Sequence, residues 1–121
     1  MSDVLIFFAD GLEEIEGLTV VDMLRRENIS IDIVSISGNT LVTGSHGITI
    51  KADKLFEEVS FDDARMLVLP GGFPGTTHLQ AHEKLCVKLK EFADEARYIA
   101  AICAAPTVFG GLGLLKGRDA T

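Results

Sequence analysis

Cys103 is the residue of this chain whose type and position most directly favour chemistry. It lies between an apolar run, residues 98–102, and a helix predicted to begin at residues 104–107, where Pro106 suits the first helical turn. Free N–H groups and the positive dipole end of such a helix favour thiolate over thiol and bind developing anions. The position therefore indicates a nucleophile. A free cysteine is also often only a small buried hydrophobe, which is our interpretation of Cys86.

Glu16 is the second candidate, because it falls on the predicted buried face of a helix from about residue 12 to residue 27. At about 100° per residue, that face also carries Leu12, Val20 and Met23. Burying an unpartnered carboxylate is costly, so we expect Glu16 to be protonated and to donate a hydrogen bond to a nearby thiolate. The simpler alternative, which the residues leave open, is that Glu16 only complements the helix dipole.

The other acidic side chains near this helix start have a structural interpretation. Glu13 and Glu14 complement the positive end of the helix dipole, and Glu14 falls near Arg25 on the opposite face from Glu16. Asp10 and Glu13 resemble a capping box, with aspartate in place of the usual serine or threonine. We therefore assign no chemistry to these three side chains.

Three backbone N–H groups are candidates for binding an oxyanion. Gly71 and Gly72 follow an apolar strand and can turn their N–H groups toward a site. The N–H of Ala104, directly after the cysteine, would complete an oxyanion hole. The alternative is a plain strand-ending turn, because Pro-Gly-Gly in isolation is a weak signal.

The sequence predicts no metal or cofactor site. His46, His78 and His82 show no recognisable metal-ligand spacing, and no cluster of cysteines or carboxylates accompanies them in sequence. His78 and His82 are four residues apart, but residues 72–77 before them are predicted to be loop. All three are interpreted as surface histidines.

The elements that must position these residues alternate between strands and helices. Short apolar runs followed by turn residues predict buried strands of a parallel sheet, and one hairpin interrupts the pattern. The predicted strands are Val4–Phe8, 29–36, Leu41–Thr43, 48–50, Met66–Leu69 and 98–102, and a further amphipathic helix is predicted over 82–96. The fold class is therefore α/β, a doubly wound and mostly parallel sheet with helices on both faces. Ligand sites of such sheets lie beyond the carboxyl ends of the strands, where residues 10–11, residues 70–72 and Cys103 all fall.

The composition indicates one domain spanning residues 1–121. Hydrophobic residues make up 47% of the 121, which is enough to bury a core. The net charge of −7 argues against nucleic acid as a partner, because phosphate binding needs clustered Lys and Arg. No apolar run approaches the roughly 20 residues that span a bilayer. Two cysteines and no signal peptide favour reduced thiols and a cytoplasmic location.

The end of the chain predicts that a C-terminal part is missing. Residues 110–113 are poor helix formers, and residues 116–119 indicate a turn that leads to only two more residues. An apolar central strand left at a sheet edge would be an aggregation liability, so we expect a truncated or cleaved chain.

Three segments in order resemble the ThiJ/PfpI family, in the branch of the parkinsonism-associated protein deglycase. They are residues 8–16 (FADGLEEIE), 68–72 (VLPGG) and 100–106 (AAICAAP). The resemblance covers essentially the whole chain. It implies a flavodoxin-like fold, usually a homodimer, and a cofactor-independent enzyme.

The resemblance also implies roles for individual residues. Cys103 would be a nucleophile on a strained elbow, with Glu16 as its protonated partner. Gly72 and Ala104 would supply N–H groups to an oxyanion. In the peptidase-like branch a histidine follows the cysteine, and the alanine at that place argues against a protease.

Two departures from the family pattern bear on function. His46 replaces an arginine thought to reach the partner subunit's site, and it would bind anions more weakly. Relatives continue past the position of Thr121, where many carry a further active-site residue, often histidine, so a companion chain with that segment is one expected partner.

Two functions are therefore expected. The first is an enzyme acting on reactive carbonyls or glycated substrates, glyoxalase- or deglycase-like, through a Cys103 thiolate and protonated Glu16. The alternative is a redox-sensing or chaperone-like stress protein oxidised at Cys103. A third, non-catalytic possibility is a fragment that keeps only the fold.

Overall fold

The structure is a computed structural model that describes residues 2–120. Its strands are β1 (Val4–Phe8), β2 (Ile31–Ser35), β3 (Leu41–Thr43), β4 (Thr49–Lys51), β5 (Lys54–Leu55), β6 (Met66–Leu69) and β7 (Tyr98–Ala101). Its helices are α1 (Glu14–Arg26), α2 (Gly75–Ala81), α3 (Glu83–Asp94) and α4 (Pro106–Gly111), with one 3-10 turn at Phe56–Glu58. Within residues 2–120, no helix is long and apolar enough to cross a membrane.

Five strands form one parallel sheet in the order β5, β2, β1, β6, β7. In central β1, Val4 pairs with Ile31 of β2 on one side and with Met66 of β6 on the other. β3 and β4 pair in an antiparallel hairpin outside this sheet. The predicted α/β fold with a mostly parallel sheet and one hairpin is therefore confirmed.

Strand β1 is buried along its whole length, and its alternating side chains enter two cores. Leu5 and Phe7 pack with side chains of α2, α3 and α4. Val4, Ile6 and Phe8 pack with side chains of α1 and of the hairpin. Each fully buried large apolar side chain contributes about 1.5–3 kcal/mol, so these cores hold helices on both faces of the sheet, as predicted.

The start of α1 differs from the prediction, because the hairpin engages the residues before it. The helix begins at Glu14, and the side chain of its N-cap, Glu13, makes no capping hydrogen bond. Asp10 instead accepts a hydrogen bond at Oδ1 from the N–H of Thr43, 3.0 Å away. The predicted capping box is therefore wrong.

A short helix, α2, occupies part of the segment predicted as loop. Near its start, the N–H of Thr76 donates to the carbonyl of Gly72 at 2.8 Å. Gly75 packs tightly, since a Cβ there would lie 2.8 Å from Cα of Leu12. Glycine and proline are poor helix formers, so the local sequence did not predict this helix, which depends on tertiary packing.

Candidate active site

Cys103 lies in a tight turn between the end of β7 and the start of α4. Its φ is +60°, in the left-handed region that costs a residue with a side chain about 1–2 kcal/mol. The N–H of Ala105 donates to the carbonyl of Ile102 at 3.1 Å, which closes the turn around the cysteine, and Pro106 begins α4. The backbone at Cys103 is thus strained, and the residue is exposed to solvent.

Glu16 reaches the same place from α1. Its half-buried side chain accepts a hydrogen bond at Oε1 from the N–H of Gly71, 3.0 Å away. A Cβ on Gly71 would lie 2.6 Å from Oε1 of Glu16 and 2.8 Å from Cβ of Cys103. The structure therefore brings these three residues together from separate elements. Within residues 2–120, the hydrogen bond of the Glu16 side chain runs to Gly71 and not to the thiol.

The three predicted oxyanion donors differ in availability. The N–H of Gly71 is already bound to Glu16, so the prediction that it binds an oxyanion does not fit this arrangement. Gly72 has a φ of +94°, and a Cβ there would overlap the backbone of Glu13. Within residues 2–120, the N–H groups of Gly72 and Ala104 donate to no other group. These two N–H groups remain the candidate donors to an oxyanion.

Glu14 is the residue that the sequence interpretation placed wrongly. It is 4% exposed, and its carboxylate holds the β3–β4 hairpin against α1. Its Oε2 accepts hydrogen bonds from the N–H groups of His46 at 2.9 Å and Ile48 at 3.2 Å, and its Oε1 lies 3.0 Å from Nδ1 of His46. A Cβ on Gly44 would overlap this carboxylate, so the hairpin loop is shaped around it. Glu14 is a tertiary contact rather than only a complement to the helix dipole.

The predicted buried face of α1 is wrong in part, for a related reason: Leu12 is buried and Val20 packs against the core, but the face does not extend to the end of the helix. Met23, expected to be buried, is 56% exposed. The buried residues of the helix are instead Glu14, Gly17 and Val21. The sheet covers one side of α1 and the hairpin loop covers the side of Glu14, so a single apolar stripe does not describe this helix.

The charges of Glu14 and His46 are coupled. Burial alone would raise the pKa of Glu14, but hydrogen bonds from its own N–H, the His46 side chain and the N–H groups of Ile48 and His46 lower it to about 2. The side-chain hydrogen bond to Glu14, with the negative charges of Glu13 and Glu14, raises the pKa of His46 above its usual 6.5. His46 is therefore exposed, as predicted, but paired with carboxylates.

Glu13, Glu14 and His46 are the three side chains, within residues 2–120, whose potential metal-ligand atoms converge, all lying within 4.8 Å of one another. Glu14 already accepts several N–H hydrogen bonds, and both carboxylates lie beside the imidazole. The imidazole of His46 thus already serves as the hydrogen-bonding and charge partner of the two carboxylates. No sequence spacing relates residues 13–14 to residue 46, so only the docking of the hairpin reveals it.

Cys86 and the other two histidines belong to the helices on the opposite face of the sheet. His78 is exposed on α2, as predicted. His82 is half-buried as the N-cap of α3, where its Nδ1 accepts from the N–H of Leu85 at 3.0 Å, so its interpretation as a surface residue is wrong. Burial raises the pKa of Cys86, whose Sγ lies 3.5 Å from the carbonyl oxygen of Gln80, and this disfavours a thiolate.

Known proteins resemble this chain over nearly its whole length. The sequence model of the DJ-1/PfpI family matches residues 2–121. The chain is 35% identical to Protein DJ-1 homolog B of Arabidopsis thaliana and 33% identical to Deglycase TK1284 of Thermococcus kodakarensis, in each case over 98% of this chain. The fold matches that of Toxoplasma gondii DJ-1, oxidized, with a TM-score of 0.94 and 34% identity over 100% of this chain.

The chain spans only part of these relatives. It covers 27% of the Arabidopsis protein, 70% of the Thermococcus deglycase and 66% of the Toxoplasma chain. The family match extends across all three motifs that carried the resemblance, and the fold agrees with it. The family inferred from the sequence is thereby confirmed: this chain is a member of the DJ-1/PfpI family.

Proposed function

We propose that this chain is a cofactor-independent enzyme acting on reactive carbonyls or glycated substrates, as a glyoxalase or deglycase. The proposed groups are a Cys103 thiolate and a protonated Glu16. The observation that carries the proposal is that the Glu16 carboxyl group and Cβ of Cys103 both lie against Gly71, and that Cys103 is exposed on a strained backbone. The relatives named deglycases support this reaction class.

The first proposed step forms a covalent bond to Cys103. The thiolate Sγ attacks the aldehyde carbon of a 2-oxoaldehyde such as methylglyoxal, and the carbonyl π electrons move to oxygen. The N–H groups of Gly72 and Ala104 stabilise that oxyanion. A proton from Glu16 then gives the neutral hemithioacetal.

The second proposed step uses Glu16 as a base. Its carboxylate removes the proton from the former aldehyde carbon, which gives an enediol, and returns a proton to the neighbouring carbon. The hydroxyl proton on the former aldehyde carbon moves to the oxygen on that neighbouring carbon, so the hemithioacetal becomes a lactoyl thioester. Water then cleaves the C–S bond and releases lactate, so that methylglyoxal plus water gives lactate. For a glycated substrate, release of the aldehyde from the amine precedes the same steps.

Conversion of methylglyoxal to lactate tests this proposal. We expect conversion to disappear in Cys103→Ser and to persist in Cys86→Ser, because Cys86 lies outside the site and near backbone carbonyls. Circular dichroism checks that both variants fold. Equal activity in Cys103→Ser and the unaltered chain would sink the mechanism, and an inactive unaltered chain would favour the possibility that only the fold is kept.

A redox-sensing or chaperone-like role is the alternative, and it rests on the contrast between the two thiols. Cys103 is exposed, whereas burial raises the pKa of Cys86. Two equivalents of peroxide would convert the Cys103 thiolate to a sulfinate and release two waters. Mass spectrometry should then find two added oxygens on Cys103, and earlier oxidation of Cys86 would count against this role.

A homodimer in the cytoplasm is the proposed setting. Ile15 on α1 and Ile48 before β4 are 70% and 51% exposed and line one shallow surface, which a second copy would cover. The cytoplasm keeps thiols reduced, as this chemistry requires. The net charge of −7 favours neither nucleic acid nor an anionic membrane surface as a partner. Analytical ultracentrifugation of the chain and of Ile15→Asp tests the dimer, which the charged side chain should dissociate.

A companion polypeptide is a further proposed partner, at the edge of the sheet. Within residues 2–120, β7 pairs with β6 on one side only, and Tyr98 at its start and Ile102 directly after its end are exposed. A strand added there would satisfy the open edge. Native mass spectrometry of the purified assembly would detect such a chain, and a mass that fits copies of this chain alone would exclude it.

A further inference from the structure

A second cleft lies at the carboxyl edge of the sheet, and neither Cys103 nor Glu16 lines it. Its volume is about 240 Å³, and it is formed by the ends of β1 and β2 and by α2. Asp10, His78 and His82 line it, and the proposed reaction gives these residues no role. Open α/β sheets bind ligands at this edge, so the cleft stands where a second ligand would be expected.

His82 lines this cleft and carries a hydrogen-bond donor of defined identity. Its Nδ1 accepts from the N–H of Leu85 at 3.0 Å, so a neutral ring carries its proton on Nε2. Burial lowers the pKa of His82, which keeps the ring neutral. The ring of Phe56 packs against it with the ring centres 4.5 Å apart and holds its orientation. Nε2–H is therefore the polar group of His82 that is left for a ligand.

Asp10 presents an acceptor to the same cleft. Its Oδ1 accepts from the N–H of Thr43 at 3.0 Å, while within residues 2–120 its Oδ2 has no hydrogen-bond partner. The wall on the β2 side is held in place by Ser37, whose hydroxyl lies 3.2 Å from that of Ser35 and 3.3 Å from the N of Asn39. The cleft thus combines a carboxylate acceptor with an imidazole donor in a fixed frame.

We propose that this cleft binds a small, neutral, polyhydroxylated compound, a sugar or polyol. Each hydroxyl group both donates and accepts, so neighbouring hydroxyls can satisfy Asp10 and His82 at once. The C–H faces of such a molecule pack on the apolar wall of Ala9, Ile36 and Ala81. Pockets for drug-sized ligands measure roughly 300–1,000 Å³, so this smaller cleft suits a ligand no larger than a monosaccharide.

Other ligand classes fit the lining less well. An anion would meet Asp10 and a chain of net charge −7. An organic cation would pair with Asp10 but leave the Nε2–H of His82 without an acceptor, which costs binding energy. Within residues 2–120, the side chains of this cleft do not bring three metal-ligand atoms together.

The test is an NMR titration of the full ¹⁵N-labelled chain with myo-inositol. This probe has no carbonyl group, so a reaction at Cys103 cannot cause the shifts. We expect saturable shifts at millimolar concentrations, confined to amides near the cleft, such as those of Ser37 and His78.

Two variants replace the groups that we assign to ligand binding, the imidazole Nε2–H and the carboxylate, while keeping their structural hydrogen bonds. His82→Asn keeps a side-chain acceptor for the N-cap but removes Nε2–H, and Asp10→Asn keeps Oδ1 for Thr43 but removes the carboxylate charge. Each should raise the Kd about tenfold. Asp22→Asn, an exposed carboxylate of α1, is the matched control and should leave the Kd unchanged.

Absent shifts, or an equal Kd in the unaltered chain and both cleft variants, would overturn the proposal. Tighter binding of lactate or methylammonium than of myo-inositol would overturn the assigned class. In a Cys103→Ser background, methyl glucoside and fructosyl-lysine distinguish a free sugar from a sugar attached to an amine. Binding to the cleft should persist in Cys103→Ser, which lacks the proposed nucleophile. The binding proposal and the proposed enzymatic reaction can therefore be tested independently of each other.

Discussion

Two glutamates, two positions apart in the first turn of α1, have opposite surroundings. Glu14 is enclosed by the hairpin, and the N–H groups and imidazole of that hairpin occupy its oxygens. Glu16 is half-buried, accepts a hydrogen bond from the N–H of Gly71, and lies beside the turn of Cys103. A carboxylate surrounded by donors stays ionised and holds structure, whereas the proposed function assigns proton transfer to the glutamate that lies beside the turn of Cys103.

The two cysteines repeat this contrast between a structural and a chemical position. Cys86 lies against backbone carbonyls within a helical layer, and burial raises the pKa of its thiol. Cys103 lies exposed on a backbone with a φ of +60°. Residue type alone therefore does not identify a candidate reactive group, because the two members of each pair differ only in their surroundings.

Among the variants that test the contrast between the two glutamates, Glu16→Gln should cause the largest loss of turnover. The amide keeps the size of the side chain and an acceptor for the N–H of Gly71 but cannot exchange a proton, so methylglyoxal turnover should fall about 100- to 10,000-fold. Glu14→Gln is the matched variant and should keep most of its turnover once folded. Similar losses of turnover in both variants would erase the distinction between the two glutamates.

A smaller loss of turnover is expected from Gly71→Ala, which tests the contact shared by Glu16 and Cys103. The added Cβ would lie within 2.6–2.8 Å of those two side chains and push them apart, so turnover should fall about 10- to 100-fold. Gly110→Ala is the control, because the nearest atom to its Cβ, on Leu115, is 3.8 Å away. Full activity in Gly71→Ala would show that the contact does not matter.

Stability should depend on pH through Glu14 and His46. The lowered pKa of Glu14 makes its contribution complete above pH 4.5 and lost as the pH falls toward about 2. The raised pKa of His46 makes its contribution complete below pH 6.5 and lost as the pH rises through that raised value. Between pH 4.5 and 6.5, the Tm of Glu14→Gln should therefore be several degrees below that of the unaltered chain. The difference in Tm should become smaller below and above this pH range. A gap that is constant with pH would contradict this coupling.

The smallest effect is expected from Glu13→Gln, which should change only the pKa of the neighbouring His46. The hydrogen bond that His46 donates to the Glu14 carboxylate is the main cause of the raised pKa of His46, and the charge of Glu13 adds to it. An NMR titration should therefore show that Glu13→Gln lowers the pKa of His46 less than Glu14→Gln does. The reverse order would mean that Glu13 is the main partner of the imidazole.

Local pattern was sufficient for the bounds of strands β1 and β6 and for the position of Cys103 at a strand-to-helix turn, whereas the two-residue strand β5 was not predicted. The predicted bounds of β1 and β6 match the structure, because strands buried on both faces are continuous apolar runs ended by turn residues. Pro106 begins α4, since proline suits the first helical turn. These predictions succeeded because each depends on a few neighbouring residues.

The predictions failed where a side chain contacts a residue that is far away in the sequence. Asp10 serves the hairpin instead of capping α1, and Glu14 is buried although its face was predicted to be exposed. Helix α2 forms in a segment rich in glycine and proline because it packs on Leu12. Helical periodicity indicates which positions share a face, but not how many elements cover the helix.

The sequence by itself determined the α/β fold, the family and the position of a cysteine at a strand-to-helix turn, because apolar runs and turn residues act locally. Only the tertiary structure decided which glutamate meets which partner, since a carboxylate is stabilised by whatever donors surround it. Docking of the hairpin places His46 within hydrogen-bond distance of Glu14. The turn at Gly71 binds the carboxyl group of Glu16 and places it near Cys103.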